Sequence, residues 1–168
     1  MKETKLLTKE EVKQFVSPTW GRLDLQGVIG RISSYMGQES EAKYRVIIGT
    51  DSQTSHQRVE FVTALIVHRL GAGGIYFWRR WSDSRKFVLR SRIYEEAFSS
   101  LKFAQEFMDE SSNNGIWNYD LEIHVDIGRM GETRTLINEV VGMIRGSGFN
   151  VRIKPEAYGA ATVADRHT

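Results

Sequence analysis

The chain has no cysteine, only two prolines among 168 residues, and no apolar run long enough to span a bilayer. The lack of cysteine excludes disulfides and thiolate zinc sites. With 40% hydrophobic and 26% charged residues, the composition is that of a globular chain rather than a disordered one. The N-terminus is charged and has no apolar signal-peptide core, so we expect a cytoplasmic protein with no membrane partner.

The length of the chain suits a single core. We expect residues 1–42 to form a helical extension packed on that core and residues 43–168 to form the main domain. In the extension, a capping-box motif at Thr8 predicts a short helix that ends at Ser17, and an apolar stripe predicts a second helix over about 23–36. These helices either cover a sheet face or form a homodimer contact.

Periodicity predicts a mixed α/β domain after this extension. Strand patterns cover 43–50, 59–70, 75–81, 121–126 and 150–154, and helical patterns cover 87–108 and 132–145, with a short helix from about 158. A hairpin followed by alternating strands and helices predicts a five-stranded mixed sheet, antiparallel at one edge and parallel elsewhere, with flanking helices.

Two of the predicted strands end in an aspartate, Asp51 and Asp126. An ionised carboxylate is costly to bury unless something pairs with it. If the two strands are parallel neighbours, their ends lie about 5 Å apart and the two aspartates can share a cation. Taken alone, a strand-end aspartate is most often a turn or cap residue.

Two further carboxylates can reach the same end of the sheet. Glu96 lies at the margin of the apolar stripe of its predicted helix, whereas Glu95 is turned toward solvent; Glu95 stays open as the alternative. Asp165 can return to the same end of the sheet from the start of the predicted last helix. The competing interpretations are that Glu96 is an ordinary surface glutamate and that Asp165 is an aspartate at a helix terminus. Four carboxylates would form an all-oxygen site for Mg²⁺ or Mn²⁺, of the two-metal type that hydrolyses phosphodiesters.

The sequence resembles the ribonuclease H superfamily, in particular the small bacterial RNase H-like proteins of the YkuK type. The resemblance covers about 43–168 and rests on the segments 49–53, 124–128, 154–158 and 164–168. It implies an RNase H-like fold and the nuclease activity that is predicted for this group. It also implies that the catalytic carboxylates are Asp51, Glu96, Asp126 and Asp165. The chain departs from typical members in its short final helix and in lacking a basic protrusion after the first long helix.

A basic and aromatic segment predicts a nucleic-acid surface, with RNA, DNA and hybrids all open. Seven basic residues lie between His68 and Arg92 against the single acid Asp83, interleaved with aromatic residues. Core aromatics and solvated arginines are the competing interpretation. The candidate phosphate contacts are Gln53, Arg79, Arg80, Arg85, Lys86, Arg90 and Lys154.

Histidines add candidates for proton transfer to a leaving group. His56 follows the first aspartate and His167 lies beside Asp165. His124 is predicted to be a hydrogen-bonded structural residue. An alternative function is an inactive RNase H-like module that binds nucleic acid or protein, since a fold alone does not guarantee chemistry.

Overall fold

The structure is a computed structural model that describes residues 13–116, 118–157, 162–163 and 166–167. Its helices are α1 (Leu25–Gln38), α2 (Leu89–Asn113) and α3 (Ile137–Gly146), the last preceded by a 3₁₀ turn at Glu132–Leu136. Its strands are β1 (Phe15–Ser17), β2 (Gly21–Leu23), β3 (Tyr44–Ser55), β4 (Arg58–Arg69), β5 (Gly73–Asp83), β6 (Asp120–His124) and β7 (Asn150–Arg152).

The strands form one mixed sheet in the order β2-β1-β5-β4-β3-β6-β7. All pairs from β2 to β3 are antiparallel, whereas β3 with β6 and β6 with β7 are parallel. The predicted α/β class is therefore confirmed, with an antiparallel hairpin edge and a parallel remainder. The predicted strand number is wrong, because β1 and β2 extend the sheet beyond β5 and make it seven-stranded.

Those two added strands correct the prediction for the N-terminal extension. Residues 15–17, expected at the end of a helix, form β1, in which Val16 pairs with Trp78 of β5. The extended backbone lets Phe15 bury its ring, which lies 5.1 Å from the ring of Phe103. The capping-box motif at Thr8 lies outside the described residues. The second predicted helix is confirmed as α1, whose N-terminus is capped by Asp24.

The core lies between the sheet and its helices. Alternate residues of β3, β4 and β5 pack against α1 and α2, including Val46, Ile48, Leu65 and Phe77. We call this the helix face of the sheet. The residues between them, such as Arg45 and Ile47, point to the other side, which we call the opposite face. Among the helices of the described ranges, none has the length and apolar character needed to cross a bilayer.

Candidate functional site

The parallel pairing of β3 and β6 brings the segments that carry Asp51 and Asp126 to the same end of the sheet. Gly49 pairs with His124, and each aspartate lies two residues further along its chain. Asp126 does not end its strand as predicted, because β6 already ends at His124. Asp51 does not end its strand: β3 continues to Ser55, because beyond the last pair with β6 it remains paired with β4.

Glu96 of α2 is the buried carboxylate at this end of the sheet, with 6% of its surface exposed. Burial raises its pKa to about 8, helped by the negative charges of Asp51 and Asp126. The Ser52 hydroxyl, which donates a hydrogen bond to Oε1 of Glu96, and the Arg92 guanidinium act in the opposite direction. Glu96 therefore lies within electrostatic range of both aspartates.

The neighbouring Glu95 lies in a different environment. It is partly exposed, and its carboxylate is 3.8 Å from the guanidinium of Arg85. Helical periodicity therefore predicted correctly which of the two glutamates is buried.

A buried hydroxyl network holds α2 against the sheet next to Glu96. Ser100 Oγ donates to Thr50 Oγ1 over 2.8 Å, and Thr50 Oγ1 lies 2.8 Å from Thr63 Oγ1. Ala97 and Ser100 are small and almost fully buried, so the helix approaches the strands closely. Sequence reasoning missed the roles of Thr50, Thr63 and Ser52, whose positions depend on contacts between distant segments.

Lys154 lies beside the second aspartate. Its ammonium is 2.8 Å from Oδ1 of Asp126, and both side chains are partly exposed. The backbone N–H of Lys154 also donates to the carbonyl of Ile127, which ties the segment after β7 to the loop after β6. The residue predicted to contact phosphate thus forms an ion pair with a predicted metal ligand. Asp165 lies outside the described residues.

The donor chemistry of the site fits a hard divalent cation, because each candidate ligand is a carboxylate. Within the residues that the structure describes, however, no three acidic or histidine side chains are close enough together to hold a metal ion. Glu96 Oε1 accepts from Ser52 and Asp126 Oδ1 is paired with Lys154. Metal binding by Asp51, Glu96 and Asp126 would therefore require these side chains to come closer together and Lys154 to move.

Comparisons with known proteins identify the family. A family model described as Ribonuclease H-like matches residues 27–168. The chain belongs to the ribonuclease H-like family. The uncharacterized protein YkuK of Bacillus subtilis (strain 168) is 30% identical over 166 residues, which covers 92% of this chain and 96% of YkuK. No solved structure matches the chain significantly. The predicted resemblance to YkuK-type proteins is confirmed.

In this ribonuclease H-like chain, two adjacent arginines predicted to contact phosphate lie on opposite faces of the sheet. Arg79 is on the helix face, with its guanidinium 5.1 Å from the ring of Phe15 and 4.7 Å from that of Phe103, and burial lowers its pKa. Arg80 lies on the opposite face, 5.7 Å from the ring of Trp78. The basic segment therefore does not form one continuous surface.

Two other predicted phosphate contacts already have acidic partners. Arg85 pairs with Asp83 at 2.6 Å and Arg90 with Glu139 at 2.8 Å. Lys86 and Gln53 are exposed. The excess of positive charge counted between His68 and Arg92 is therefore partly neutralised by ion pairs in the fold.

Neither candidate proton-transfer histidine lies next to Asp51 in the strand register. His56 is exposed in the turn between β3 and β4, five residues beyond Asp51, or roughly 15 Å along an extended strand. The ring of His167 stacks on Trp78 at 4.2 Å, and burial together with Arg80 and Arg166 lowers its pKa. Trp78 is two strands away from β3, about 10 Å across the sheet.

A second acidic residue is buried on the opposite face. Nε2 of His124 is 3.1 Å from Oε2 of Glu122, which confirms the prediction that His124 is hydrogen-bonded. Burial alone would raise the pKa of Glu122, but His124 and two arginines lower it below its ordinary value. Burial lowers the pKa of His124, so the pair consists of a carboxylate and a neutral imidazole near neutral pH.

Proposed function

We propose that the protein is a metal-dependent nuclease that hydrolyses phosphodiester bonds of nucleic acid at the Asp51, Glu96 and Asp126 site. The observation that carries the proposal is the buried Glu96, whose pKa is raised by burial and by the negative charges of Asp51 and Asp126. Membership of the ribonuclease H-like family supports a role connected with nucleic acid. Asp165 is proposed as a fourth ligand.

The carboxylates would hold the ion, and Ser52 and the hydroxyl network would keep Glu96 in position. When bound, Mg²⁺ or Mn²⁺ would activate water and stabilise charge on the phosphate. Lys154 would leave Asp126 and is placed to contact a phosphate oxygen.

The test is cleavage of RNA, DNA, hybrids and branched junctions by the purified protein with Mg²⁺ or Mn²⁺. We expect Asp51→Asn to reduce the rate by about a hundredfold or more, since a metal clamp supplies several kcal/mol to the transition state. Glu95→Gln is the matched control and should retain activity, because this side chain is partly exposed and faces Arg85. Failure of a folded protein to cleave any of these substrates would refute the proposal.

A second candidate is a nucleic-acid binding module without turnover. The ion pair between Lys154 and Asp126 favours it, because an ammonium already neutralises one of the candidate ligands. Binding of single-stranded or double-stranded nucleic acid that is unchanged in Asp51→Asn, together with no cleavage, would support this module.

A further inference from the structure

A cavity of about 480 Å³ lies on the opposite face of the sheet, before the carboxylate site along the strands. Ile47 of β3 and Ile66 of β4, which face each other in the antiparallel register, line it with apolar surface. Its volume is within the range of small-molecule sites. The cavity is therefore large enough for a nucleotide-sized group.

Basic side chains surround this cavity. Arg45 and His68 are paired across β3 and β4, and Arg152 of β7 lies level with His124 of β6. The guanidinium groups of Arg45 and Arg152 each lie 3.5 Å from one oxygen of Glu122, longer than a good charged hydrogen bond. Their side chains are 39% and 53% exposed, so both retain donors that an anion can use.

Polar atoms at the cavity have unmet hydrogen-bonding capacity. His124 is 5% exposed and lines the cavity, and within the described part of the chain its Nδ1 has no hydrogen-bond partner. The same holds for the buried Nε of Arg45. Buried polar groups are normally satisfied, so Nδ1 of His124 is available to a ligand in the cavity.

We propose that this cavity is a nucleotide-binding subsite, with the phosphate on Arg45 and Arg152 and the sugar or base on Ile47 and Ile66. The inference stands apart from the proposed nuclease function. Arg45 and Arg152 share the one carboxylate of Glu122, so their remaining donors can hold an anion, and the isoleucines favour a ring over bare phosphate.

The test is titration of the full chain with adenosine 5′-monophosphate by calorimetry in EDTA, where no cleavage occurs. We expect adenosine 5′-monophosphate to bind more tightly than inorganic phosphate or adenosine. Arg152→Gln should weaken binding about tenfold, since it removes one charge-assisted contact. Glu156→Gln removes an acid from the cavity and should tighten binding about twofold. Arg145→Gln, an exposed arginine in the last turn of α3, is the matched control and should change nothing.

Equal affinity for inorganic phosphate and the nucleotide, or the same affinity in Arg152→Gln and Arg145→Gln, would overturn the proposal. If Arg152→Gln does not fold, the tightening expected from Glu156→Gln decides the question instead. A protein that cleaves nucleic acid but binds no nucleotide in EDTA would refute the subsite alone. A protein that binds the nucleotide but never cleaves would refute the nuclease alone.

Discussion

Replacing Glu96 with glutamine tests whether this buried carboxylate keeps its proton near neutral pH. The pKa of Glu96 is about 8 against an ordinary value of 4.5. Between these two pH values the folded protein keeps a proton that the unfolded chain has released, so the free energy of unfolding falls by about 1.4 kcal/mol per pH unit. The stability is fully present below pH 4.5 and is lost as the pH rises through 8, at most about 5 kcal/mol in all.

The Glu96→Gln variant removes the ionisation of this side chain and leaves its shape and its hydrogen bond in place. Glutamine has the shape of a protonated glutamate, cannot ionise, and its side-chain oxygen can still accept the hydrogen bond from Ser52. Urea unfolding of both proteins in EDTA, from about pH 5 to about pH 9, gives the free energies. We expect the two proteins to be similar at the acid end and Glu96→Gln to be more stable by several kcal/mol at the alkaline end.

Glu95→Gln is the control, because it changes the same side-chain type at the next position of α2 without removing a buried acid. Its unfolding curve should follow that of the unmodified protein at every pH. If Glu96→Gln also runs parallel to the unmodified protein, Glu96 titrates in the folded state as it does in water. The reasoning that joins it to Asp51 and Asp126 would then be wrong.

Three further predictions concern the same region. Mn²⁺ binding at about pH 7 should release about one proton from Glu96, so the calorimetric heat should depend on the ionisation enthalpy of the buffer; a buffer-independent heat contradicts this. Thr50→Val should lower the free energy of unfolding in urea by about 2 kcal/mol, because it leaves Ser100 without its buried partner; a loss below about 0.5 kcal/mol would show that the network is not stabilising. Lys154→Gln should tighten Mn²⁺ binding about two- to fivefold, since it removes the competing ion pair on Asp126; unchanged affinity would refute that competition.

Periodicity predicted the elements that are long enough to carry a clear pattern. The hairpin strands β4 and β5 and the helix α2 have strong apolar periods, and their order implied the mixed sheet. Strand β1 was missed because its three residues carry no period of their own. Its conformation depends on pairing with Trp78 and on the burial of Phe15, both of which are tertiary contacts.

For the site, too, local sequence patterns predicted some features and not others. The expected meeting of Asp51 and Asp126 depended on the parallel pairing of β3 with β6, and that pairing is confirmed. The contact between Ser52 and Glu96 joins residues 44 positions apart, and no local pattern indicates it. The ion pair of Lys154 likewise depends on how the segment after β7 lies against the loop after β6.

In the proposed nuclease, a divalent cation would take the place of a proton on Glu96 and of an ammonium on Asp126. A buried acid whose proton is held only below about pH 8 destabilises the protein at higher pH, and a neutral residue at Glu96 would avoid that cost. Removing that proton at about pH 7 costs about 1.4 kcal/mol, because the pKa lies about one unit higher. The partner of Asp126 is a half-exposed ammonium, and such pairs contribute about 1 kcal/mol or less, so the two exchanges together would cost about 2 kcal/mol.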